Sequence, residues 1–463
     1  MMPLSQAAAM AGGRMEGAEV ECSSVSIDTR TLRAGALFVA LQGPNFDGHD
    51  FVDAAQRQGA AAAMVHHPVS HSLPVIHVDD TRLALGRLAA AWRARRDIPV
   101  VAVTGSNGKT TVKEMIAAIL AQHGEVLATE GNLNNDIGVP LTLLRLRESH
   151  RYAVVEMGAN HPGEIGYVAQ LTRPDVGVIT NAGAAHLEGF GSLDGVARGK
   201  GELFQALDAD GVAVVNADDR FAPLWEQLIG ERSTLRFGLD KAADVSVVPG
   251  TEHMEVGDAL VMRFTLRTPV GDIPVRMHLC GRHNLVNACA AAAAAVAVGA
   301  GAADIQRGLA SLQAVKGRLQ LKLVAPGVRV LDDTYNANPT SLRAALQVLA
   351  LAPGKKILVL GDMGELGAGA EGLHGELGEE AREAGVEQLL TVGALTRLTA
   401  QRFGAGSRHF AAQEELIAAL RAELHGLIHQ GATVLVKGSR RMRMERVVAA
   451  LTTGAETGST GRD

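Results

Sequence analysis

The segment TGSNGKTT, residues 104–111, lies between an apolar β-branched run and a helical pattern of apolar residues. In a turn between a strand and a helix, Gly105 and Gly108 let backbone N–H groups face an anion. Lys109 would supply a point charge there, and the Thr110 hydroxyl is a ligand for Mg²⁺. The segment therefore predicts a phosphate-binding loop, with G-x-x-G-K-T in place of G-x-x-x-x-G-K-T. A plain glycine turn is the alternative.

Three more polar residues are candidates for the same chemistry. Glu156 ends the predicted strand YAVVE, where the ligand groups of open α/β sheets collect, and a carboxylate there can hold Mg²⁺. His186 lies in a glycine-rich loop, and Lys200 lies on a helix that Ser192 is expected to cap. Taken singly, they are typical of a solvated acid, a structural histidine and a surface lysine. Only nine of the 44 basic residues are lysine, so a lysine in a motif indicates that a primary amine is required.

Two other polar clusters leave the choice between structure and function open. The segment EGNLNNDIGVPLT, between two predicted helical stretches, is explained by turn chemistry or by ligand contacts; its polar residues are Asn132, Asn134, Asn135 and Asp136. The segment VLVKGSRRM is explained by a solvated basic edge or by contact with a substrate carboxylate; its candidates are Lys437, Ser439 and Arg440.

The order of predicted elements indicates an α/β protein with three domains. Residues 1–97 form a small α/β unit with the strands SVSID, ALFVAL, AAAMV and VIHV. Residues 98–315 are predicted to form a doubly wound parallel sheet from VVAVTG, YAVVEMG, VGVITN and GVAVVNADD, followed by VSVV and ALVMRFTL. Residues 316–463 again alternate strands and helices, which predicts a Rossmann-like C-terminal domain.

The composition excludes several classes of function. A formal net charge of -6 and 3% aromatic residues give no basic, base-stacking surface for nucleic acid. Cys22, Cys280 and Cys289 lack metal-ligand spacing, which indicates packing roles in a reducing compartment. The N-terminus has no signal-peptide pattern, and the alanine-rich run from Asn287 is too weakly apolar to span a membrane and predicts a buried helix. We expect a cytoplasmic monomer without membrane insertion.

Several segments together resemble the Mur ligases, ATP-dependent amide-forming enzymes of peptidoglycan precursor synthesis. In chain order they are TGSNGKTT, GNLNNDIGVPLT, EMGANHPGEI, TNAGAAHLEGFGS, GKGELF, RHNLVNACAA and LDDTYNANPTS. The N-terminal SIDTRTLRAGALFVALQGPNFDGHDFV resembles the uridine-nucleotide domain of two members, with Thr29 where serine is commoner. Within the family, DDTYNANP and LGDMGELG are similar to the member that adds D-alanyl-D-alanine, and the DNPR motif of the diaminopimelate-adding member is absent.

The resemblance implies roles for individual residues. It places ATP on Gly105, Ser106, Asn107, Gly108, Lys109, Thr110, Thr111, Asn287, Arg318 and Asp333, with Asn287 at the adenine. It implies two Mg²⁺, one held by Thr110 and Glu156, the other by His186 and by Lys200 as a carbamate formed from its amine and CO₂. The implied catalytic residues are Lys109, Glu156, His186 and Lys200. The implied substrate-binding residues are Asp28, Thr29 and Arg30 on the uridine side, and Asn134, Asn135, Asn336, Asn338, Lys437, Ser439 and Arg440.

The reaction implied by the resemblance joins D-alanyl-D-alanine to UDP-N-acetylmuramoyl-tripeptide through an acyl phosphate. A diaminopimelate- or lysine-adding ligase is the nearest alternative. A folylpolyglutamate synthase lacks the uridine-type N-terminal domain, and a P-loop ATPase without ligase activity would not need a second metal site with a reactive lysine. Because ATP contacts are expected from two domains, we also expect a hinge near residues 314–318.

Overall fold

The computed structural model describes residues 1–69, 72–183, 187–312, 316–428 and 430–452. Three α/β sheets follow one another along the chain, and this confirms the predicted fold class. The domain limits at 97/98 and 315/316 stay predictions. Within the described residues, every helix is too short or too polar to cross a lipid bilayer.

The N-terminal region is built from short elements. They are β1 (Met2–Pro3), α1 (Leu4–Ala11), β2 (Arg14–Glu16), β3 (Glu21–Cys22), β4 (Ser24–Ser26), β5 (Ala36–Val39), β6 (Gln42–Gly43), β7 (Phe46–Asp47), α2 (Val52–Arg57), β8 (Ala62–Val65), β9 (Val75–His77) and α3 (Thr81–Arg93). Five strands form a sheet in the order β2-β9-β8-β5-β4, in which all pairs except β2–β9 are parallel. The four predicted strands of this region are all present.

The middle region starts with a six-stranded parallel sheet. Its elements are β10 (Val100–Thr104), α4 (Lys109–Leu120), β11 (Glu125–Ala128), α5 (Gly138–Leu143), β12 (His150–Glu156), α6 (Glu164–Thr172), β13 (Val176–Ile179), α7 (Leu187–Phe190), α8 (Leu193–Gln205), β14 (Val212–Asn216), α9 (Ala222–Ile229) and β15 (Ser233–Phe237). The order is β11-β12-β10-β13-β14-β15. The chain runs to one side of β10 and then to the other, and ligands bind at such switch points.

Two predicted strands of the middle region do not join this parallel sheet. VSVV and ALVMRFTL belong to an antiparallel sheet of β16 (Ser246–Val247), β17 (His253–Val256), β18 (Leu260–Thr268) and β19 (Gly271–Met277). β18 and β19 form a hairpin, so no helix is available for a parallel crossover between them. The prediction was wrong because apolar β-branched composition marks a buried strand without giving its direction. The helices α10 (Arg282–Ala297) and α11 (Ala302–Ser311) follow.

The C-terminal region forms a second six-stranded sheet. Its elements are β20 (Gln320–Ala325), β21 (Val328–Asp333), α12 (Pro339–Ala350), β22 (Lys355–Gly361), α13 (Ala370–Glu383), β23 (Gln388–Val392), α14 (Thr396–Phe403), β24 (Ser407–Phe410), α15 (Gln413–Leu427), β25 (Ala432–Lys437) and α16 (Glu445–Thr452). The order is β20-β21-β25-β22-β23-β24, and β20 alone is antiparallel to its neighbour. The carboxyl ends of β21, β22 and β25 therefore share one edge.

The middle sheet is buried on both faces, which explains its continuous apolar strands. Val100 and Ala102 of β10 belong to a core that includes residues of the N-terminal region, whereas Val101 and Val103 belong to a core that continues into the C-terminal region. The alanine-rich α10 is the predicted buried helix, and it packs against α4. The three cysteines are free and buried, as expected for packing residues.

Candidate active site

The turn between β10 and α4 requires glycine at two positions. Gly105 has φ +144° and Gly108 has φ +81°, which side chains rarely adopt. A Cβ atom at Gly105 would lie 1.9 Å from Thr180 Oγ1, and one at Gly108 would lie 2.5 Å from Asn287 Oδ1. The conformation of this turn therefore requires glycine at both positions. The turn leads into the N-terminus of a 12-residue helix, where backbone N–H groups favour an anion.

The segment after β13 holds this loop in place. Thr180 Oγ1 donates to the Asn107 carbonyl at 2.6 Å, and Asn181 Nδ2 donates to the same oxygen at 3.0 Å. Asn181 Oδ1 accepts the Asn107 N–H at 3.0 Å, while the Ser106 hydroxyl bonds with Gly183. Thr180 and Asn181 were not among the predicted site residues. Their position directly after a buried strand, next to the strand that leads into the loop, was the signal for them.

Lys109 is the first residue of α4, and its ammonium turns back over the loop. Its Nζ donates to the Gly105 carbonyl at 2.7 Å. Burial lowers the pKa of Lys109, and the charge of the nearby Glu156 carboxylate opposes that shift. The loop thus carries a desolvated positive charge beside the helix N-terminus, an arrangement suited to phosphate.

Glu156 ends β12 and is 3% exposed. Its Oε1 accepts from Asn134 Nδ2 at 2.8 Å, but its Oε2 has no hydrogen-bond partner among the described residues although it is buried. A buried carboxylate oxygen without a partner is costly. Because Mg²⁺ prefers hard oxygen ligands and needs few from the protein, Glu156 fits the predicted metal site.

Lys200 lies in the middle of α8 and is 1% exposed. The predicted cap of this helix is confirmed, since the Ser192 hydroxyl accepts the Gly195 N–H at 3.0 Å. The Lys200 ammonium lies 5.5 Å from the centre of the Phe190 ring. Burial, and then the positive charge of Lys109, lower the pKa of Lys200 to about 7. His186, predicted to be its partner, lies outside the described residues.

The asparagine cluster divides between the two readings left open by the sequence. Asn134 contacts the Glu156 carboxylate, whereas Asn135 Oδ1 accepts the Gly138 N–H at 2.8 Å and so serves the turn into α5. Asp136 pairs with Arg82 of α3. The expectation that helical stretches flank the cluster on both sides was wrong, because the strand β11 precedes it.

Residues of the C-terminal region reach the phosphate-binding loop. Arg318 Nη2 lies 3.4 Å from Thr110 Oγ1, and the Arg318 guanidinium is 4.3 Å from the centre of the Tyr335 ring. The Nε of Arg318 is buried and has no partner among the described residues. Asn338 is the N-cap of α12 and donates from Nδ2 to Asn107 Oδ1 at 2.7 Å. The loop is therefore closed on one side by a second region of the same chain.

Asp333 and Lys437 form a buried ion pair at the carboxyl ends of β21 and β25. Lys437 Nζ lies 2.5 Å from Asp333 Oδ2 and donates to the Asn336 carbonyl at 3.0 Å. Burial lowers the pKa of Lys437, and Asp333 opposes the shift. The alternative of a solvated basic edge is therefore wrong for Lys437, which is 2% exposed.

The other predicted residues near this edge differ in burial. Ser439 is buried and its N–H donates to the Asp362 carbonyl, whereas Arg440 is exposed and donates to Glu445. Asn336 is also exposed. Asn287, predicted to meet adenine, is buried next to Gly108 and donates to Asn284 Oδ1 at 3.0 Å. The structure thus places Asn287 beside the loop and leaves Arg440 and Asn336 facing solvent.

The predicted uridine-side residues lie at a different sheet edge. Asp28, Thr29 and Arg30 follow β4, and Arg30 Nη2 lies 2.7 Å from Asp28 Oδ2. Within the described residues, the hydrogen bonds of Asp28 and Arg30 stay inside residues 26–31. The structure therefore does not bring this group into contact with the phosphate-binding loop.

A histidine cluster lies in the same N-terminal region. His49 Nδ1 lies 2.5 Å from Asp47 Oδ1, and its Nε2 accepts the His66 backbone N–H at 3.1 Å. His67 Nε2 lies 3.1 Å from Asp47 Oδ2, and this contact raises the pKa of His67. Because both ring nitrogens of His49 are engaged within the protein, the cluster is not arranged as a metal site.

The arrangement at the middle sheet defines a class of protein. A phosphate-binding loop and a buried acid lie at adjacent strand ends of a switch point, and one oxygen of this acid has no partner among the described residues. An arginine from another region reaches the loop. This is a P-loop enzyme that acts on a nucleotide. Family models match three parts of it, described as Mur ligase family catalytic domain over residues 21–93, Mur ligase middle domain over 103–295, and Mur ligase glutamate ligase domain over 317–440.

The chain belongs to the Mur ligase family and is an ATP-dependent ligase. It is 48% identical over 448 residues to the UDP-N-acetylmuramoyl-tripeptide–D-alanyl-D-alanine ligase of Escherichia coli, covering 97% of this chain and 98% of that one. The structure of MurF from Acinetobacter baumannii superimposes with a TM-score of 0.91 at 38% identity, covering 98% of this chain and 99% of that one. The structure of the MurF ligase of Thermotoga maritima in complex with ADP superimposes with a TM-score of 0.81 at 30% identity, covering 94% of this chain and 98% of that one.

Proposed function

We propose that this enzyme joins D-alanyl-D-alanine to UDP-N-acetylmuramoyl-tripeptide with ATP, giving the pentapeptide precursor of peptidoglycan. The observation that carries the proposal is the 48% identity, over nearly the whole of both chains, to an enzyme named for this reaction. The phosphate-binding loop and the motifs DDTYNANP and LGDMGELG agree with it.

The chemistry requires two anions to react. The tripeptide carboxylate attacks the γ-phosphorus of ATP, which forms an acyl phosphate and releases ADP. The dipeptide amine then attacks the acyl carbon, loses a proton and displaces phosphate. Lys109 stabilises the charge that develops on the phosphates, and Arg318 approaches the same loop from the C-terminal region. Thr110 and Glu156 would hold one Mg²⁺, which when bound neutralises phosphate charge. In-line placement of the carboxylate is the second requirement.

Lys200 is proposed to carry a carbamate, which with His186 would hold the second Mg²⁺. A lysine amine reacts with CO₂ only in its neutral form, and burial lowers the pKa of Lys200 to about 7, which favours the neutral amine far more than in an ordinary lysine. The amine beside the Phe190 ring has the desolvated surroundings that favour this form. An arginine at this position would not substitute for it.

Two regions are proposed to bind the remaining parts of the substrates. Asn287 would contact the adenine beside Gly108, and Asp333 would contact the ribose, close to its partner Lys437. The tripeptide and dipeptide would lie between Asn134 and the C-terminal edge that carries Asn336, Asn338, Ser439 and Arg440. Asp28, Thr29 and Arg30 would bind the uridine nucleotide.

The enzyme is proposed to act as a cytoplasmic monomer whose C-terminal region moves during catalysis. Part of the predicted hinge, residues 313–315, lies outside the described residues. Small-angle scattering profiles that change on adding an ATP analogue with the UDP-linked substrate would support the motion, and identical profiles would contradict it.

Phosphate release tests the proposed reaction. The full-length enzyme is mixed with ATP, Mg²⁺ and UDP-N-acetylmuramoyl-tripeptide, and D-alanyl-D-alanine, diaminopimelate or lysine is added in turn. We expect phosphate release, and a pentapeptide product by mass spectrometry, only with the dipeptide. Release that depends on diaminopimelate or lysine would assign the chain to another branch of the family, and release without any amine would indicate an ATPase.

A further inference from the structure

Lys113 is a buried charge that the proposed mechanism does not use. It lies on α4, one turn after Lys109, and is 2% exposed. Its Nζ donates to the Thr129 carbonyl at 2.7 Å and also contacts the Glu114 carboxylate. Because a well-packed apolar residue often stabilises a core at least as well as a buried ion pair, stability alone does not explain a lysine here.

Thr129 connects Lys113 to the proposed metal ligand. It follows β11 directly and is 1% exposed. While its carbonyl accepts from Lys113, its hydroxyl accepts the Glu156 N–H at 2.9 Å. The Thr129 N–H donates to Val154 at 3.1 Å, so the residue is fixed to the same strand that ends at Glu156.

Glu156 is consequently held at two points. Thr129 holds its backbone, and Asn134 holds Oε1 of its carboxylate, while Oε2 is left without a partner among the described residues. The other proposed ligand of the same cation, Thr110, lies in the first turn of α4. Lys113 is therefore a side-chain link between the helix that carries Thr110 and the segment that holds Glu156.

We propose that Lys113 is a positioning residue that fixes the Glu156 carboxylate relative to the Thr110 hydroxyl and thereby sets the affinity of the nucleotide site for a divalent cation. The proposal rests on the proposed function, because it takes Thr110 and Glu156 as the ligands of one Mg²⁺. Groups that orient metal ligands without touching the metal commonly change metal affinity by about 10- to 100-fold when removed. Lys113 acts on Glu156 through Thr129 and not directly, so we expect an effect at the lower end of that range.

The test measures metal binding and not turnover. Mn²⁺ is titrated into the full-length protein with saturating ADP, and free Mn²⁺ is followed by electron paramagnetic resonance. We expect Lys113→Met and Thr129→Val each to raise the dissociation constant of Mn²⁺ by about tenfold. The double variant should lose no more Mn²⁺ affinity than the weaker-binding single variant, since both changes break the same link from Lys113 through Thr129 to Glu156. Lys356→Met, a lysine of β22 remote from the loop, is the matched control and should bind Mn²⁺ normally.

Two further measurements separate positioning from general damage. ADP affinity in the presence of EDTA should stay unchanged in Lys113→Met and Thr129→Val, because within the described residues neither side chain is hydrogen-bonded to the 105–108 turn. Unchanged Mn²⁺ affinity in folded Thr129→Val or Lys113→Met, or an equal loss of metal-free ADP binding, would overturn the proposal. Glu156→Gln with native Mn²⁺ affinity would overturn it together with the metal assignment, whereas the amide-forming reaction is judged separately by phosphate release.

Discussion

The phosphate-binding loop and the turn at residues 26–31 are both loops at the carboxyl ends of parallel strands, but they are held very differently. Ser106 is bonded by Gly183, and Asn107 is bonded by Thr180, Asn181 and Asn338 of the C-terminal region. In contrast, Arg30 is 86% exposed at its side chain and pairs with Asp28, two residues away. The first loop is supported from several elements, and the second is supported from within itself.

This difference corresponds to different tasks. Stabilising charge in a transition state requires donors that are already in place, because reorganising them during the reaction costs free energy. A group that only binds one end of a large substrate can become ordered when that substrate arrives. We therefore expect changes in the phosphate-binding loop to lower kcat and changes in the 26–31 turn to raise KM.

The largest expected effects come from the two site lysines, and the first of these changes is Lys109→Ala. Because the lysine charge is desolvated and lies at the phosphate site, kcat should fall by about a hundredfold or more. Steady-state phosphate release measures this, and circular dichroism checks the fold. Lys356→Ala, which removes a lysine outside the site, should keep full activity. A Lys109→Ala enzyme within a few-fold of the native rate would remove this residue from the mechanism.

The second effect concerns Lys200. Lys200→Ala should be inactive, and millimolar formate or acetate should restore part of the rate by occupying the position of the carbamate. Lys200→Arg is the matched control, since its side chain fills that position and should block rescue. The pKa of about 7 leaves much more of the Lys200 amine neutral at pH 7 than in a lysine of ordinary pKa, which is almost fully protonated there.

Carbon-13 NMR with labelled bicarbonate tests the same proposal directly. The native protein at pH 7 should show one lysine carbamate signal that disappears in Lys200→Ala. A signal that persists in the variant, or full activity of Lys200→Ala without added acid, would contradict the carbamate.

Arg30→Ala tests the opposite side of the comparison. It should raise KM for the UDP-linked substrate by about tenfold and leave kcat within twofold, as expected for a contact made equally in the ground and transition states. Arg33→Ala, an exposed arginine three residues further, is the matched control. A fall in kcat for Arg30→Ala would contradict the assignment of substrate binding alone to the 26–31 turn.

The smallest effect is expected at Asn338. Asn338→Ala removes the N-cap of α12 as well as the contact with Asn107, and should cost about 1 kcal/mol. Asn338→Ser keeps a capping oxygen but loses the reach to Asn107. Thermal melts should therefore show a Tm lower by about 2–4 °C for the alanine variant and a nearly unchanged Tm for the serine variant. Equal losses would mean that the contact with Asn107 carries the stability.

Local sequence was sufficient for the residues whose chemistry depends on their neighbours in the chain. The glycines and Lys109 of the phosphate-binding loop, the cap at Ser192 and the position of Glu156 at a strand end all follow from spacing and periodicity. The directions of β16 and β18 could not be predicted in this way. A buried strand has the same apolar composition whether its neighbour in the sheet is parallel or antiparallel.

Long-range partners were the other part that local sequence could not supply. The pairing of Lys437 with Asp333 spans 104 residues, and the contact of Arg318 with Thr110 spans 208. Lys113 has helical spacing to Lys109 but gives no sign of its partner, Thr129. The family resemblance supplied the roles of several such residues, but it did not reveal the contacts that hold them.

The alanine helix α10 bears on how evolution can alter the nucleotide site. Eight consecutive residues, 288–295, are fully packed, and seven of them end at Cβ. Such side chains have no rotamers with which to absorb a neighbour's displacement, so a bulkier residue would have to push the helix as a unit. Since Asn287 on this helix lies against Gly108, substitutions one or two turns further along the helix would displace the glycine turn, and this stretch should tolerate less variation than its plain composition suggests.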